Sequence, residues 1–286
     1  MTSRSAASLP VSAGLPALVL TRYLSTSVAD TLRTLAVDSA DEAGNMRLDL
    51  GDALIDIQGR RRPQSSGAPR VGLSAAFRPA GLRVVFALLT WENLADAPYR
   101  TIGAVAGTAL GTTNYVMDDL ERSGFLQVTT GRRRLVRTSM LLDRWVELFN
   151  LSIAPTLDLG RFASSAPGWW RDDLDGIRTS DVLIGGETAA DQMGTQLSTK
   201  IAVLYAPQVP AALAARHRWR KADATTPSAD VEVRRRFWTP RVGGGGLVAP
   251  STLVYADLLG SGDPRQRQAA DELRTTDDLL VRLDRS

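Results

Sequence analysis

Residues 99–137 have the sequence YRTIGAVAGTALGTTNYVMDDLERSGFLQVTTGRRRLVR, and this stretch decides the fold. Apolar residues at three- and four-residue spacing predict two short helices that are separated at Gly107. Gly124 predicts the end of the second helix. The alternating residues that follow, with turn residues at Thr130 and Gly131, predict a two-stranded hairpin. Helix, turn, helix and hairpin in this order are typical of a winged helix-turn-helix.

The same stretch holds residues that suit contact with DNA. The first residues of a recognition helix reach base edges in the major groove, where asparagine pairs with adenine. Arginines at a hairpin tip meet phosphates or the minor groove. We therefore expect the DNA-binding residues to be Thr101, Gly111, Thr112, Asn114, Tyr115, Arg132, Arg133 and Arg134.

Composition limits the class of protein. The chain has 286 residues, a net charge of +3, 44% apolar residues and no cysteine. This length predicts two or three domains, and the missing thiols exclude disulfides and fit a reducing compartment. Without a signal peptide or a long apolar segment, we expect a cytoplasmic protein that does not enter a membrane. Three arginine triplets, at 60–62, 132–134 and 234–236, are expected by default to be solvated surface.

The pattern along the chain predicts an α+β multidomain protein. We expect an N-terminal, degenerate nuclease-like α/β region (1–70), a central winged helix-turn-helix domain (71–154) and a C-terminal α/β domain (155–286), with the first boundary in the Pro/Gly/Ser-rich residues 63–72. Besides the central hairpin, 45–57 is predicted to form a hairpin and 155–170 to be irregular. Predicted helices are 15–35, 79–94, 139–151, 187–197, 209–219, 251–259 and 265–275, and predicted C-terminal strands are 182–184, 201–204 and 231–233.

Catalytic motifs are weak in this sequence. A Ser-His-Asp triad would depend on His217, the one histidine, and no nucleophile-elbow motif is present. Asp41 and Asp56 resemble the acidic pair with which nucleases hold Mg²⁺, but Gln58 stands where a lysine is needed. We expect no enzyme, no cofactor and no metal site, and keep a Mg²⁺-dependent nuclease, or a nuclease-derived DNA-binding defence protein, as the alternative.

Several motifs, taken in order, resemble one family. They are Asp41–Asn45, Arg78–Arg83, Tyr99–Ile102, Ala109–Val116, Gly185–Ala190 and Val248–Leu259. Together they look like the AbiEi-type antitoxins of type IV toxin–antitoxin systems, from about residue 20 to 280. The roughly seventy residues before the predicted winged helix depart from the many members that begin directly with it.

This resemblance implies a repressor that binds inverted repeats in its own promoter through the helix-turn-helix. It further implies a cognate nucleotidyltransferase-like toxin, and it makes the C-terminal α/β region (155–286) an antitoxin-type domain that counteracts this toxin. The partners expected from the resemblance are therefore double-stranded operator DNA, bound as a monomer or dimer, and this toxin. A DNA-binding scaffold without any toxin is a third possibility.

Overall fold

The computed structural model describes residues 18–21, 24–41, 43–58, 74–197, 199–222, 229–239 and 246–285. The arginine triplet 60–62 and the predicted linker at 63–72 lie outside these residues. The chain divides into two compact units, residues 1–70 and 71–286. Among the described residues, no helix is both long and apolar enough to span a bilayer.

The first unit is a four-stranded sheet with one helix. Its elements are β1 (Leu18–Thr21), α1 (Thr26–Thr34), β2 (Asp38–Asp41), β3 (Met46–Asp49) and β4 (Leu54–Ile57), and the strand order is β1-β2-β3-β4. The β1–β2 pair is parallel, and the other two pairs are antiparallel. The predicted hairpin at 45–57 is therefore confirmed.

The predicted helix over 15–35 is wrong at its start. Residues 18–21 form a strand, and the helix begins only after Ser25, whose side chain accepts a hydrogen bond from the Val28 backbone N–H at 3.4 Å. The strand exists because β2 pairs with it, and that pairing joins residues twenty positions apart in sequence. The helical spacing of apolar residues within 15–35 does not reveal this long-range pairing.

The second unit opens with helices and a hairpin. Its first elements are α2 (Pro79–Thr90), α3 (Tyr99–Ala106), α4 (Leu110–Arg122), β5 (Leu126–Thr129), β6 (Arg132–Leu135) and α5 (Thr138–Ser152), with single turns of 3-10 helix at Ala75–Phe77 and Leu94–Asp96. The helices, turn and hairpin predicted from 99–137 are confirmed, and we call residues 99–135 the helix–hairpin segment. Helix α2 is shorter than the predicted 79–94, because Trp91 adopts an extended conformation after Thr90.

Two glycines allow α3 and α4 to meet closely. Gly107 ends α3 with a φ of +63°, a conformation that side chains with a Cβ rarely adopt. A Cβ on Gly103 would lie 2.9 Å from the carbonyl oxygen of Thr108 and 2.9 Å from Oγ1 of Thr113. The apolar faces of both helices are then buried, with Met117 fully inaccessible.

The rest of the second unit is a mixed sheet flanked by helices. Its elements are β7 (Asp158–Ala163), α6 (Leu174–Thr179), β8 (Leu183–Gly185), α7 (Gly186–Gln192), β9 (Ala202–Ala206), α8 (Ala211–Arg216), β10 (Arg220–Ala222), β11 (Val231–Arg235), α9 (Ser251–Gly260), α10 (Pro264–Thr276) and α11 (Asp278–Asp284), with further 3-10 turns at Ala154–Thr156 and Trp169–Arg171. The strand order is β10-β7-β11-β9-β8. Among the five described strands of this sheet, β9 and β11 pair in parallel and the other neighbouring strands pair antiparallel.

Most predicted C-terminal elements are present within a few residues, but the expected irregular stretch at 155–170 is wrong. Strand β7 occupies 158–163 and pairs with both β10 and β11. Its residues DLGRFA do not alternate in polarity, so the pairing partners, rather than the local pattern, make it a strand. Strand β10 and helices α6 and α11 were not predicted; they have three, six and seven residues.

The helices and the sheet of the second unit share one core. Phe86 of α2 lies 5.5 Å from Trp145 of α5 and 5.0 Å from Phe237, which follows β11, measured between ring centroids. The backbone N–H of Thr239 also donates to the carbonyl oxygen of Val105 in α3 at 2.9 Å. The helix–hairpin segment is therefore packed, through α2 and α5, into the same hydrophobic core as the sheet.

Candidate nucleic-acid interface

The start of α4 presents its polar side chains to solvent. Gly111, Asn114 and Tyr115 are exposed, with Tyr115 at 71%, and Thr112 is half-buried. Thr101 is exposed on α3, the helix that packs against α4. The first turn of α4 carries no acidic residue, and Ala109 caps it without a side-chain hydrogen bond. Free backbone N–H groups and a positive helix end favour an anion there.

The three hairpin arginines point in two directions. In the β5–β6 register, Thr129 pairs with Arg132 and Gln127 with Arg134, so these four residues share one face. Arg132 and Arg134 are exposed on that face. Arg133 lies on the opposite face, in register with Val128. The hairpin therefore presents two cations to solvent and turns the third toward the protein.

Arg133 attaches the hairpin to the beginning of α3. Its Nη2 donates to the carbonyl oxygens of Asp96 at 3.2 Å and Ala97 at 2.8 Å, and its guanidinium lies 4.4 Å from the ring centroid of Tyr99. Its backbone N–H also donates to Oδ1 of Asp96 at 3.0 Å. A DNA contact by this guanidinium would compete with these bonds, so its expected DNA role stays a prediction.

The supporting contacts of this surface were not foreseen from the sequence. Besides Asp96 and Tyr99, Asp119 of α4 is buried and accepts a hydrogen bond from the backbone N–H of Ala76 at 2.9 Å. Its position among the exposed-looking residues DDLER gives no sign of burial. The one sequence feature that could have indicated these contacts is Tyr99, because an aromatic ring at the start of a helix can stack with an arginine.

The two N-terminal carboxylates of the nuclease alternative are engaged within their own unit. Asp41, expected before the first strand, ends β2 and accepts hydrogen bonds from the backbone N–H of Leu24 at 2.7 Å and of Asn45 at 2.8 Å. Partial burial would raise the pKa of Asp41, but these bonds hold it below its ordinary value. Asp56 pairs with Arg33 at 3.1 Å. Within the described residues, no group of three or more acidic or histidine side chains is placed to hold a metal ion.

A buried charged network lies in the C-terminal sheet. Asp257 accepts hydrogen bonds from Arg234 at 2.7 Å, from the Tyr205 hydroxyl at 2.8 Å and from the backbone N–H of Gly186 at 3.1 Å. Burial raises the pKa of both Asp257 and Tyr205. Glu232 accepts from Nε of Arg234 at 2.6 Å. Glu232, Arg234 and Asp257 border a cleft of about 480 Å³ that is also lined by residues of α5, α7 and α9.

The default expectation for the arginine triplet 234–236 is therefore wrong at two positions. Arg234 lies in this network because β11 is an inner strand between β7 and β9. Arg236 donates to both carboxylate oxygens of Asp181 at 2.8 Å, and its side chain is 10% exposed. Only Arg235 is exposed.

His217 has a structural environment. Its Nε2 lies 2.8 Å from Oδ2 of Asp173, and its ring stacks on Trp169 with centroids 4.0 Å apart. That bond, followed by the contacts of Arg216, lowers the pKa of Asp173. The contacts of Arg216 and His217 with Asp173 therefore join the end of α8 to the start of α6.

The two helices and the hairpin have the element order of a winged helix-turn-helix, and they share a core with a mixed sheet. The chain belongs to the AbiEi antitoxin family of transcriptional regulators in type IV toxin–antitoxin systems, because the model of that family matches residues 134–280, just over half of the chain. Neither a curated protein nor a solved structure matches it. The family match begins in β6, so the start of α4 lies outside it.

Proposed function

We propose that the helix–hairpin segment binds operator DNA in the promoter of the chain's own operon and represses transcription. The observation that carries this proposal is the pairing of two exposed features on one small module. The start of α4 is polar, free of acidic residues and open to solvent, and the neighbouring hairpin turns Arg132 and Arg134 outward. A helix of this size fits the major groove, while a cationic hairpin fits the phosphates beside it.

Each residue of this surface has a distinct role in this proposal. The amide of Asn114 pairs with an adenine edge, and Thr112 and Tyr115 contact bases or the sugar–phosphate backbone. Gly111 keeps the helix start free of a side chain, and a Cβ there would meet no protein atom within 4 Å. Thr101 on α3 reaches a phosphate. Arg133 contributes mainly by holding the hairpin against α3.

We also propose that the C-terminal part of the chain, 155–286, neutralises a nucleotidyltransferase-like toxin without catalysis of its own. Membership of the antitoxin family supports this assignment, since the family match covers most of that part of the chain. The sheet and its helices give a rigid surface for such a partner. In this proposal the first 70 residues have a separate role from the helix-turn-helix domain at 71–154.

Fluorescence anisotropy with duplexes from the chain's own promoter tests the DNA proposal. We expect tighter binding to promoter DNA than to a scrambled duplex, and weaker binding when Arg132 and Arg134 are both changed to alanine. A matched control changes Arg220 and Lys221, two exposed cations on β10, to alanine. Equal losses for the two double variants would show that net charge, and not the hairpin, holds the DNA.

Co-expression with the adjacent gene tests the antitoxin proposal. We expect the neighbouring product to arrest growth alone, and this chain to restore growth. Rescue by a variant that carries the Arg132 and Arg134 changes would separate toxin neutralisation from repression. If the neighbouring product is harmless, or this chain leaves its toxicity unchanged, the antitoxin assignment fails.

A further inference from the structure

The cleft beside the Arg234–Asp257 network is built on the face of the C-terminal sheet. Val203 of β9 pairs with Glu232 of β11 in the parallel register, so both side chains lie on this face, where they line the cleft. Residues near the end of α5 and at the starts of α7 and α10 also line it. Its volume of about 480 Å³ lies within the roughly 300–1,000 Å³ that small-molecule sites occupy. The cleft is therefore large enough for a small organic ligand.

Part of the lining is apolar. Val203 is buried, Ile201 is half-buried, and Ala154 and Pro155, which follow α5, line the cleft with them. A Cβ on Gly186 would lie 2.9 Å from Cγ2 of Val203, so α7 begins directly against this apolar part. A hydrocarbon chain that enters the cleft can therefore bury its surface against these residues.

Glu187 brings an incompletely paired carboxylate to the same cleft. Its side chain is 15% exposed, and its Oε1 is inaccessible to solvent and accepts no hydrogen bond from the described residues. Nη2 of Arg265 lies 3.9 Å from this oxygen, beyond hydrogen-bond distance, and donates to Asp263 at 2.9 Å instead. Burial raises the pKa of Glu187. A buried carboxylate that lacks a donor is costly, and this cost indicates a partner that the protein itself does not provide.

The other charged groups of the cleft reinforce its negative character. Among the described residues that line it, four carboxylates accompany one guanidinium. The carboxylates belong to Asp158, Glu187, Glu232 and Asp257, and the guanidinium belongs to Arg234. This guanidinium already donates to Asp257 at 2.7 Å and to Glu232 at 2.6 Å. Its charge is therefore used within the network and does not compensate Glu187.

We propose that this cleft binds a small organic cation of the alkylamine or alkylguanidine class, with its charged end against Glu187 and its hydrocarbon chain along Ile201 and Val203. A cation neutralises the carboxylate that the chain leaves incompletely paired, whereas an anion would meet like charges. A metal ion suits the cleft less well, because the carboxylates of the described part of the chain form no group of three or more that could hold one. The site is additional to the proposed DNA and toxin functions and depends on neither.

Isothermal titration calorimetry of the full chain with cadaverine and with agmatine tests the proposal. In about 0.15 M salt, which screens weak surface attraction, we expect one of these cations to bind with a dissociation constant of about 1 mM or lower. The diol with the same chain length as cadaverine is the matched ligand control, and we expect it not to bind. No binding of either cation up to about 10 mM, or equal binding of the diol, overturns the proposal.

A substitution at Glu187 locates the binding site. Glu187→Gln keeps the shape of the side chain and removes its charge, so we expect the affinity for the cation to fall at least about tenfold. Glu272→Gln is the matched control, because it makes the same change at an exposed residue of α10 that does not line the cleft. Equal losses for the two variants would show that net charge, and not this cleft, attracts the cation.

Arg265 gives a second test that leaves Glu187 in place. Its side chain is 66% exposed, and its guanidinium lies where it repels a cation that approaches Glu187. Arg265→Ala should therefore tighten cadaverine binding about two- to threefold, whereas Arg267→Ala, at another exposed cation of α10, should leave it unchanged. Weaker binding by Arg265→Ala, or an equal gain with Arg267→Ala, refutes a cation site at Glu187.

Discussion

Arg133 faces the protein, whereas Arg132 and Arg134 face solvent. We therefore predict that changing Arg133 lowers stability, and that changing Arg132 and Arg134 weakens DNA binding. Changing Arg133 to alanine removes two guanidinium hydrogen bonds to the carbonyls of Asp96 and Ala97 and the stacking on Tyr99. Arg133 is half-buried, so its hydrogen bonds should contribute less to stability than those of a fully buried charged side chain. We expect a loss of about 1–2 kcal/mol in the free energy of unfolding.

Changing Arg132 or Arg134 should affect the affinity for DNA rather than the free energy of unfolding. Both side chains are exposed, so we expect their loss to change the free energy of unfolding by less than about 0.5 kcal/mol. Each phosphate contact that is lost lowers the slope of log affinity against log salt by about 0.9. The double variant should therefore flatten this slope by about 1.8 on promoter and scrambled DNA alike.

Urea denaturation and anisotropy titrations between low and moderate salt measure the two effects on the same samples. Arg133→Ala should lower the urea midpoint and leave the salt slope close to that of the wild type. The opposite pattern, an unchanged midpoint with a flattened slope for Arg133→Ala, would refute the reasoning, because the guanidinium would then serve DNA rather than the hairpin.

Three further changes give equally direct tests. Gly111→Ala should stabilise the chain by up to about 1 kcal/mol in thermal melts, because a Cβ there meets no protein atom, yet weaken promoter binding; unchanged binding would contradict close approach of the helix to DNA. Asn114→Ala should cost about 1–3 kcal/mol on promoter DNA and little on a scrambled duplex, and equal losses would argue against base recognition. Hydrogen bonds from Arg274 lower the pKa of Asp284, so their stabilisation is present above the unfolded pKa and is lost as pH falls through the lower folded value. Urea midpoints of wild type and Asp284→Asn should therefore differ at pH 7, and the difference should shrink as the pH falls below the ordinary aspartate pKa; a constant difference would contradict this pairing.

Where local signals agree with one another, the sequence predicts the structure well. In the helix–hairpin segment, apolar spacing, Gly107 at the break and Thr130-Gly131 at the turn all specify the same elements, and each is observed. The exposed start of α4 follows directly from which helix face is apolar. The expected family membership is also confirmed over 134–280.

Prediction fails where an element depends on a partner far away in the chain. Residues 18–21 form a strand only because β2 lies beside them, and β7 has no alternating pattern but is held between two strands. The half-buried position of Arg234 has the same cause, because a triplet of arginines is expected to be exposed until β11 is placed between two other strands.

The sequence alone determined the order of the helices and the hairpin, the polar face of α4 and the family, because these depend on residues within a few turns of one another. Only the tertiary structure decided which hairpin arginine faces the protein, since strand alternation separates Arg133 from Arg132 and Arg134 without indicating which side meets Tyr99. It also decided that Leu18, Leu20 and Ile55 are exposed on one face of the N-terminal sheet. Those outcomes depend on packing between elements, and no local pattern encodes that packing.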